Sequence, residues 1–454
     1  MKNIRLIVSI LLAGSLLMVS CRKEGEELLN PNKRFASTYA EQFEAVWHGI
    51  DNSYVFWSRD NTDWDAIYEE YKPRFAELDN MSKVPDSVFT DLWVKVVGGL
   101  LDHHFVLTVE NYKSPSRTSA EIASDIPKVF RIGGSAREVR QRPDYRATDR
   151  TRQDSILEHH SRLNTIYINK DNSEMRAALL NKSNGKKIAY FRLSGFNVSN
   201  LFNGKTPNRG ASSAFIESED VFIRPMVSFY GKNWMAATYG ANISSTNANG
   251  WINDDDVEGI IYDVRGNGGG NADELTPLVG ALTQSPTHYG YSRTKEGLGR
   301  LDYSAWTPFI MHTPANHLNT AKPIVVLADA NSYSCAEITT QLIHSLPNGV
   351  FIGKRTGGAT CPLLPGGFNI LLSGVFGTSA TTVFDNAKNK NVRNPNWLGY
   401  YCYTSNFDLV ITDYTSLEGK GVTPDYDVDY KGENGKDEQL DAAIEYLETG
   451  RVSQ

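Results

Sequence analysis

The sequence predicts an α/β protein with a helical N-terminal region, and two stretches of the 454-residue chain carry that prediction. In the C-terminal half, apolar runs typical of buried strands alternate with helical patterns. The strands are expected near 257–264, 323–328 and 349–353, and the helices near 272–283 and 334–346. Such alternation is typical of βαβ units built around a parallel sheet.

The N-terminal region, residues 36–105, shows three amphipathic helical patterns. Thr38 and Glu41 have the spacing of a capping box, a second pattern covers 63–78, and Pro85 stands at the start of a third. Aromatic and aliphatic side chains recur on one face of each pattern. At this spacing they are far more typical of a hydrophobic core than of a ligand site.

The first 20 residues predict a secretory signal. A basic start precedes a short apolar stretch that ends at Cys21. This ending resembles a bacterial lipoprotein signal, which implies that Cys21 is the lipidated first residue and that 21–35 form a polar tether. We therefore expect a cell-envelope protein, anchored by lipid in the outer membrane on its periplasmic or outer face. An ordinary cleaved signal with a chance cysteine is the alternative.

Charge and cysteine content exclude several kinds of function. The formal net charge is −7, which argues against a nucleic-acid partner. The glycines at 266–270 lack the spacing of a dinucleotide site, and no Cys/His spacing is typical of zinc, so we expect no cofactor and no metal. Cys335 is expected to be buried, and a bridge between Cys361 and Cys402 is one option in an oxidising compartment.

Ser334 follows the apolar run 323–328 and precedes a helical pattern, so it lies at a strand-to-helix turn. The first turn of a helix offers unpaired N–H groups and the positive end of the helix dipole, which suit a nucleophile and the oxyanion it generates. Taken alone, the serine is better explained as a helix cap.

A second segment changes this balance. The strand-like run 259–265 ends in Gly266-Asn267-Gly268-Gly269-Gly270. Consecutive glycines let the backbone turn sharply, approach another group closely and present N–H groups to an anion. By itself this segment also fits an ordinary turn.

Together the two segments resemble the S41 family of serine peptidases, the C-terminal processing and tricorn-type enzymes. The family's Asp-Leu-Arg-Asn-Asn-Pro-Gly-Gly motif is similar to residues 263–270. Its Ser-Ala-Ser-Ala-Ser-Glu motif is similar to residues 332–337, which implies that Ser334 is the nucleophile. Three further elements follow in the family's order, at 352–358, 421–425 and 436–443.

The resemblance covers about residues 186–448. It implies a crotonase/ClpP-like spiral core, protein or peptide substrates, and an oxyanion hole made by the N–H groups of Gly269 and Cys335. Many family members carry a PDZ domain before the core. In residues 106–185 we expect that domain to be absent or degenerate, and we expect the insertion at 201–250 to form loops over the site.

The general base is expected to be histidine. The processing peptidases carry a lysine where this chain has Ala359, and Lys354 is displaced from that position. The segment 100–104 resembles the Leu-x-Asp-x-His element of the histidine-dependent branch, which implies that His104 is the base, with His103 as the fallback. The alternative is that both histidines are polar residues at a helix end.

The third member of the site stays open at this point. Glu337 lies one helical turn beyond Ser334 and either serves the site or favours the helix dipole. Asp102 is as well explained by fixing the local turn. We expect a serine endopeptidase, and the alternative is a non-catalytic binding protein for a peptide or an apolar ligand.

Overall fold

The computed structural model describes residues 38–82, 84–110, 129–133, 150–168, 174–198, 224–239, 247–297, 299–361, 368–369, 382–385, 389–393 and 399–453. The predicted signal at 1–20, the tether at 21–35 and the lipidation of Cys21 lie outside these residues. Among the helices that the structure describes, none has the length and apolar character needed to cross a membrane.

The three helices predicted in the N-terminal region are confirmed. The capping box of Thr38 and Glu41 is present, and the Asp63 side chain caps the second helix. The helices are α1 (Tyr39–Ser53), α2 (Trp64–Asp79), α3 (Asp86–Val97), α4 (Arg150–His160), α5 (224–230), α6 (Lys232–Tyr239), α7 (Leu275–Leu278), α8 (Cys335–Ser345) and α9 (Glu438–Thr449).

The strands that the structure describes fall into four sheets. They are β1 (Val106–Glu110), β2 (Val129–Gly133), β3 (Ser161–Ile168), β4 (Glu174–Asn181), β5 (Lys187–Leu193), β6 (Val257–Asp263), β7 (Thr287–Thr294), β8 (Thr307–Met311), β9 (Ile324–Ala328), β10 (Gly349–Gly353), β11 (Phe368–Asn369), β12 (Thr382–Asp385), β13 (Lys390–Arg393), β14 (Gly399–Tyr403), β15 (Phe407–Ile411) and β16 (Tyr426–Asp427).

The central sheet has seven strands in the order β16-β10-β9-β6-β5-β4-β3. The neighbouring strands β16, β10, β9, β6 and β5 pair in parallel. Strand β4 pairs antiparallel with both β3 and β5. The predicted α/β core is therefore confirmed. Because β6, β9 and β10 are parallel neighbours, the segments that follow them leave the sheet at the same edge, where ligand and active sites of such sheets lie.

One predicted helix is broken. Residues 272–283 form the 3₁₀ turn Ala272–Glu274, the four-residue helix α7 and a second 3₁₀ turn, Gly280–Leu282. Pro277 lacks a backbone N–H, and Gly280 is a poor helix former, so the sequence cannot propagate one regular helix here.

The N-terminal helices pack against a four-stranded antiparallel sheet of order β11-β14-β1-β2. The rings of Trp93 on α3 and Tyr400 on β14 lie 5.7 Å apart, and the Tyr400 hydroxyl donates to Gln42 Oε1 of α1 at 2.6 Å. These two contacts hold α1 and α3 against β14, and the connection from α3 to β1 carries Asp102, His103 and His104.

The predicted intermediate region, 106–185, shares its sheets with the catalytic region. Strand β1 pairs with β14, and β4 pairs with β5, so the predicted boundary at 186 falls between two neighbouring strands of one sheet. Much of this region, 111–128 and 134–149, lies outside the described residues. The absence of a PDZ domain therefore stays a prediction.

Two further expectations are corrected. Within the insertion at 201–250, residues 224–239 form α5 and α6 rather than loops, and Phe229, Tyr230 and Trp234 are buried there beside Tyr262 of β6. The cysteines Cys335, Cys361 and Cys402 are all buried and free, so the optional Cys361–Cys402 bridge is not formed.

Candidate active site

Ser334 lies between β9 and α8 in a backbone conformation that is rare for serine. Its φ of 54° and ψ of −121° lie in the positive-φ region, where a side chain other than hydrogen is strained by about 1–3 kcal/mol. Its side chain makes no capping hydrogen bond, although the residue stands at the N-cap position. The capping explanation therefore fails, and the hydroxyl lies at the start of the helix beside the Cys335 thiol, with which it shares a hydrogen bond.

The glycine segment packs directly against Ser334. Gly269 has a φ of 89°, and a Cβ built on it would lie 2.6 Å from Ser334 Cβ and 3.1 Å from the Cys335 nitrogen. The close approach that the glycines predict is thus present, and Gly269 leaves no room for a side chain.

The two N–H groups predicted to bind the oxyanion differ in their hydrogen bonding. Cys335 is the first residue of α8, where backbone N–H groups have no acceptor within the helix. The Gly269 N–H instead donates to the Asn267 side-chain oxygen at 2.8 Å. Asn267 is fully buried and donates in turn to the Leu193 carbonyl at 2.7 Å. An oxyanion that uses the Gly269 N–H must replace Asn267 as its acceptor.

His104 is half-buried, and its Nδ1 atom is enclosed without a hydrogen bond to the described residues. Burial lowers the pKa of His104, while the neighbouring Asp102 carboxylate opposes that shift. Asp102 accepts from the His104 backbone N–H at 2.7 Å. It also accepts from Thr404 Oγ1 at 2.5 Å and from the Ser405 N–H at 2.7 Å. Asp102 thus fixes the turn that carries the histidine.

Glu418 completes a cluster with Asp102 and His104. A ring nitrogen of His104 and one carboxylate oxygen from each acid lie within 4.8 Å of one another. Glu418 is buried and accepts from the N–H groups of His103, Thr360 and Cys361 at 2.9, 2.9 and 3.0 Å. Burial raises its pKa, and the Asp102 carboxylate adds to this.

These three side chains have the spacing of a metal site, but hydrogen bonds already account for both carboxylates. Buried carboxylates that accept several N–H groups need no cation for charge compensation. The donor set therefore fits an acid–histidine arrangement, and the expectation of no metal stays a prediction.

The turn after β10 connects the serine and histidine segments. The Ala359 carbonyl accepts from the Ser334 N–H at 2.7 Å. The Gly357 carbonyl lies 3.1 Å from His103 Nδ1, which must be the donor because a carbonyl only accepts. The ring of His103 is therefore held against this turn, and the structure brings both segments to the same place.

Glu337 holds that turn from within α8. Its buried carboxylate accepts from Thr356 Oγ1 at 2.5 Å and from the N–H groups of Gly358 and Ala359 at 2.7 and 2.6 Å. Burial raises its pKa from 4.5 to about 7, against the effect of these donors. Glu337 therefore positions the turn that binds Ser334 and His103.

Replacing Glu337 by glutamine should lower the melting temperature, because an amide cannot accept all three hydrogen bonds. Each buried donor left unsatisfied costs about 1–3 kcal/mol. The raised pKa means that the folded state binds more protons than the unfolded state between about 4.5 and 7, so ionisation of Glu337 destabilises the fold as the pH rises. Thermal unfolding across this range should show that the difference in melting temperature between wild type and Glu337→Gln becomes smaller as the pH rises. A gap that widens would contradict the assignment.

The other basic candidates lie in structural contacts. Lys354 directly follows β10, is buried, and pairs with Asp427 and Asp429 at 2.5 and 3.1 Å. Ala359, which the family resemblance aligns with the lysine of the processing peptidases, is buried. His344 contacts Asp425 at 3.0 Å near the end of α8. The structure therefore offers no lysine beside Ser334 among these residues.

Sequence reasoning missed Glu418 and left Asp102 unassigned. Glu418 lies just before the Gly-x-x-Pro-Asp element at 421–425. This proximity is the one feature of the sequence that could have indicated a role for Glu418. Its contact with the histidine segment spans 315 positions of sequence. Local patterns cannot show such a pairing.

Comparison with known proteins finds similarity to serine peptidases. Residues 238–362 match the model of peptidase family S41, and residues 35–82 match the model of the tricorn protease C1 domain. A putative peptidase from Parabacteroides merdae aligns with 90% of this chain and 97% of its own, at 19% identity and a TM-score of 0.54. Mature CPAF aligns with 90% of this chain and 96% of its own, at 12% identity and a TM-score of 0.48. No curated protein matches the chain.

The two family matches, over residues 35–82 and 238–362, place those segments in the class of serine-type peptidases. Within that class, the helical N-terminal region corresponds to the tricorn-type segment, and the Ser334 region lies inside the S41 match. Proteins and peptides are the substrates that this class implies.

Proposed function

We propose that this protein is a serine endopeptidase in which Ser334 is the nucleophile and His104 the general base. The observation that carries the proposal is the strained backbone of Ser334, which places a hydroxyl that does not cap the helix at a helix start against Gly269. Strained serines at strand-to-helix turns are typical of hydrolase nucleophiles.

In the proposed reaction, Ser334 Oγ forms a bond to the peptide carbonyl carbon while His104 takes its proton. His104 then gives that proton to the departing amine as the C–N bond breaks, and water repeats the sequence to release the acid. The Asp102 carboxylate lies close enough to stabilise the charged imidazole, and Glu418 lies beside both groups. The N–H groups of Cys335 and Gly269 take the oxyanion, where loss of one donor typically costs about 10²–10³ in rate.

One observation favours the alternative of a non-catalytic binding protein. The Gly269 N–H is engaged with Asn267, so one of the two proposed donors is not free in this structure. The experiment that separates the two functions is incubation of the wild-type protein with a broad peptide library, followed by mass spectrometry. Internal cleavage supports the endopeptidase. Removal of terminal residues alone contradicts the endopeptidase, and retention of intact peptides without cleavage supports the binder.

We also propose that Cys21 is lipidated and anchors the chain to the outer membrane of the cell envelope. The support is the sequence pattern of the first 21 residues. Cys21→Ala should leave the membrane fraction or accumulate at its unprocessed size, whereas the neighbouring control Lys23→Ala should behave as wild type. Fractionation and mass measurement check this. A mature-sized Cys21→Ala protein in the membrane fraction would disprove the anchor.

A further inference from the structure

Two arginines share one buried carboxylate close to the candidate site. Asp408 of β15 is fully buried. Arg293 of β7 donates to its Oδ2 through Nε at 3.0 Å, and Arg59 pairs with the other oxygen, Oδ1. Two guanidinium groups on one carboxylate leave a formal excess of one positive charge, because arginine stays protonated in proteins.

Neither arginine is closed off. The side chain of Arg59 is 24% exposed and that of Arg293 is 16% exposed. The Nε of Arg59 is enclosed and makes no hydrogen bond to the described residues. Burial lowers the pKa of both guanidinium groups.

Aromatic rings hold the second arginine in place. The Arg293 guanidinium lies 3.9 Å from the centroid of the Tyr303 ring and 4.4 Å from that of Trp306, and it donates to Ser58 Oγ at 2.6 Å. A guanidinium fixed between rings keeps its planar donor edge oriented, so little entropy is lost when it binds a planar anion.

The arginine pair adjoins the segments that carry the proposed machinery. Asp60, next to Arg59, accepts from the Leu101 N–H at 2.7 Å, three residues before His104. On the other side, the Leu409 N–H beside Asp408 donates to Cys361 Sγ at 3.3 Å, and the Cys361 N–H binds Glu418. The chain neighbours of Arg59 and of Asp408 are thus linked by hydrogen bonds to the histidine segment and to the Glu418 segment.

We propose that Arg59 and Arg293 form a subsite that binds a carboxylate of the peptide substrate. The planar fork of arginine matches a carboxylate bidentately, and peptides supply this chemistry either at the C-terminus or on an acidic side chain. This inference rests on the proposed function, since it assigns a preference to the same cleft. It makes the arginine pair a determinant of which peptides bind.

The test measures binding in the Ser334→Ala variant, where cleavage does not interfere. The probe is a random peptide library made with Glu or with Gln, and with a free or an amidated C-terminus. Removing the recognised carboxylate should weaken retention about 10- to 100-fold, as expected for a charge-assisted hydrogen bond pair. The Glu/Gln and acid/amide arms show which carboxylate is bound.

Arg59→Gln should remove that discrimination, whereas Arg74→Gln, which changes an exposed arginine paired with Glu70 on α2, should keep it. Equal retention of all four libraries, no retention of any, or discrimination that persists in Arg59→Gln would overturn the proposal. Should Arg59→Gln fail to fold, Arg293→Gln replaces it, because Asp408 then keeps Arg59 as its partner. Cleavage by wild type is measured separately, so loss of the proposed function and loss of this subsite are distinct results.

Discussion

Replacing Ser334 by alanine is expected to abolish peptide cleavage and to leave the fold intact. The substitution removes a hydroxyl that makes no capping hydrogen bond. Alanine at a φ of 54° is strained much as serine is, so the strain should not change the free energy of unfolding appreciably. Turnover of a cleaved library peptide should fall by about 10³-fold or more, the loss seen when a catalytic nucleophile is removed.

The matched control is Ser345→Ala at the other end of α8, where an exposed serine donates to the Leu342 carbonyl. It should retain full activity. Melting temperatures of both variants show that the fold is kept. Undiminished cleavage in Ser334→Ala would remove the serine from the mechanism and would leave the fold assignment untouched.

The second large effect is expected at His104. His104→Ala should lower turnover by about 10³-fold or more, since it removes the base that accepts the Ser334 proton. His344→Ala, which breaks a contact with Asp425 near the end of α8, should change turnover little. A loss at His103 instead would transfer the role to the fallback residue, and a loss at Lys354 with an unchanged melting temperature would indicate a Ser–Lys mechanism.

The pH dependence of kcat/KM should also reflect the role of His104 as the general base. A general base works in its neutral form, so activity rises as the pH passes upward through the pKa of His104. Because burial lowers that pKa, the acidic limb should lie below the ordinary histidine value of about 6.5. A limb displaced above that value would contradict the burial of His104.

The sequence predicts well the features that depend on neighbours in the chain. The capping box at Thr38 and Glu41, the strand before Ser334 and the helix after it are all set by short-range patterns. The role of Ser334 is less accessible, because a helix cap and a nucleophile have the same local sequence. The positive φ, which separates them, depends on Gly269 and the turn at 356–359.

The rest depends on contacts between distant segments. Glu418 meets the histidine segment across 315 positions, and Asp408 collects two arginines that are 234 positions apart in the chain (293 minus 59). Helices α5 and α6 were hidden by composition, since the Ser/Asn/Gly-rich flanks outweigh the buried aromatic residues between them. Pattern reasoning has no access to such pairings without the fold.

The order of the chain also decides when the site can exist. His104 emerges early in synthesis, but the side chain that fixes its turn, Asp102, is held by Thr404 and Ser405, which lie 302 and 303 positions later. Contacts of such long sequence separation form late in folding. A chain that ends before Thr404 lacks the contacts that fix the His104 turn, so the proposed peptidase site is expected to form only when nearly the whole polypeptide has been synthesised.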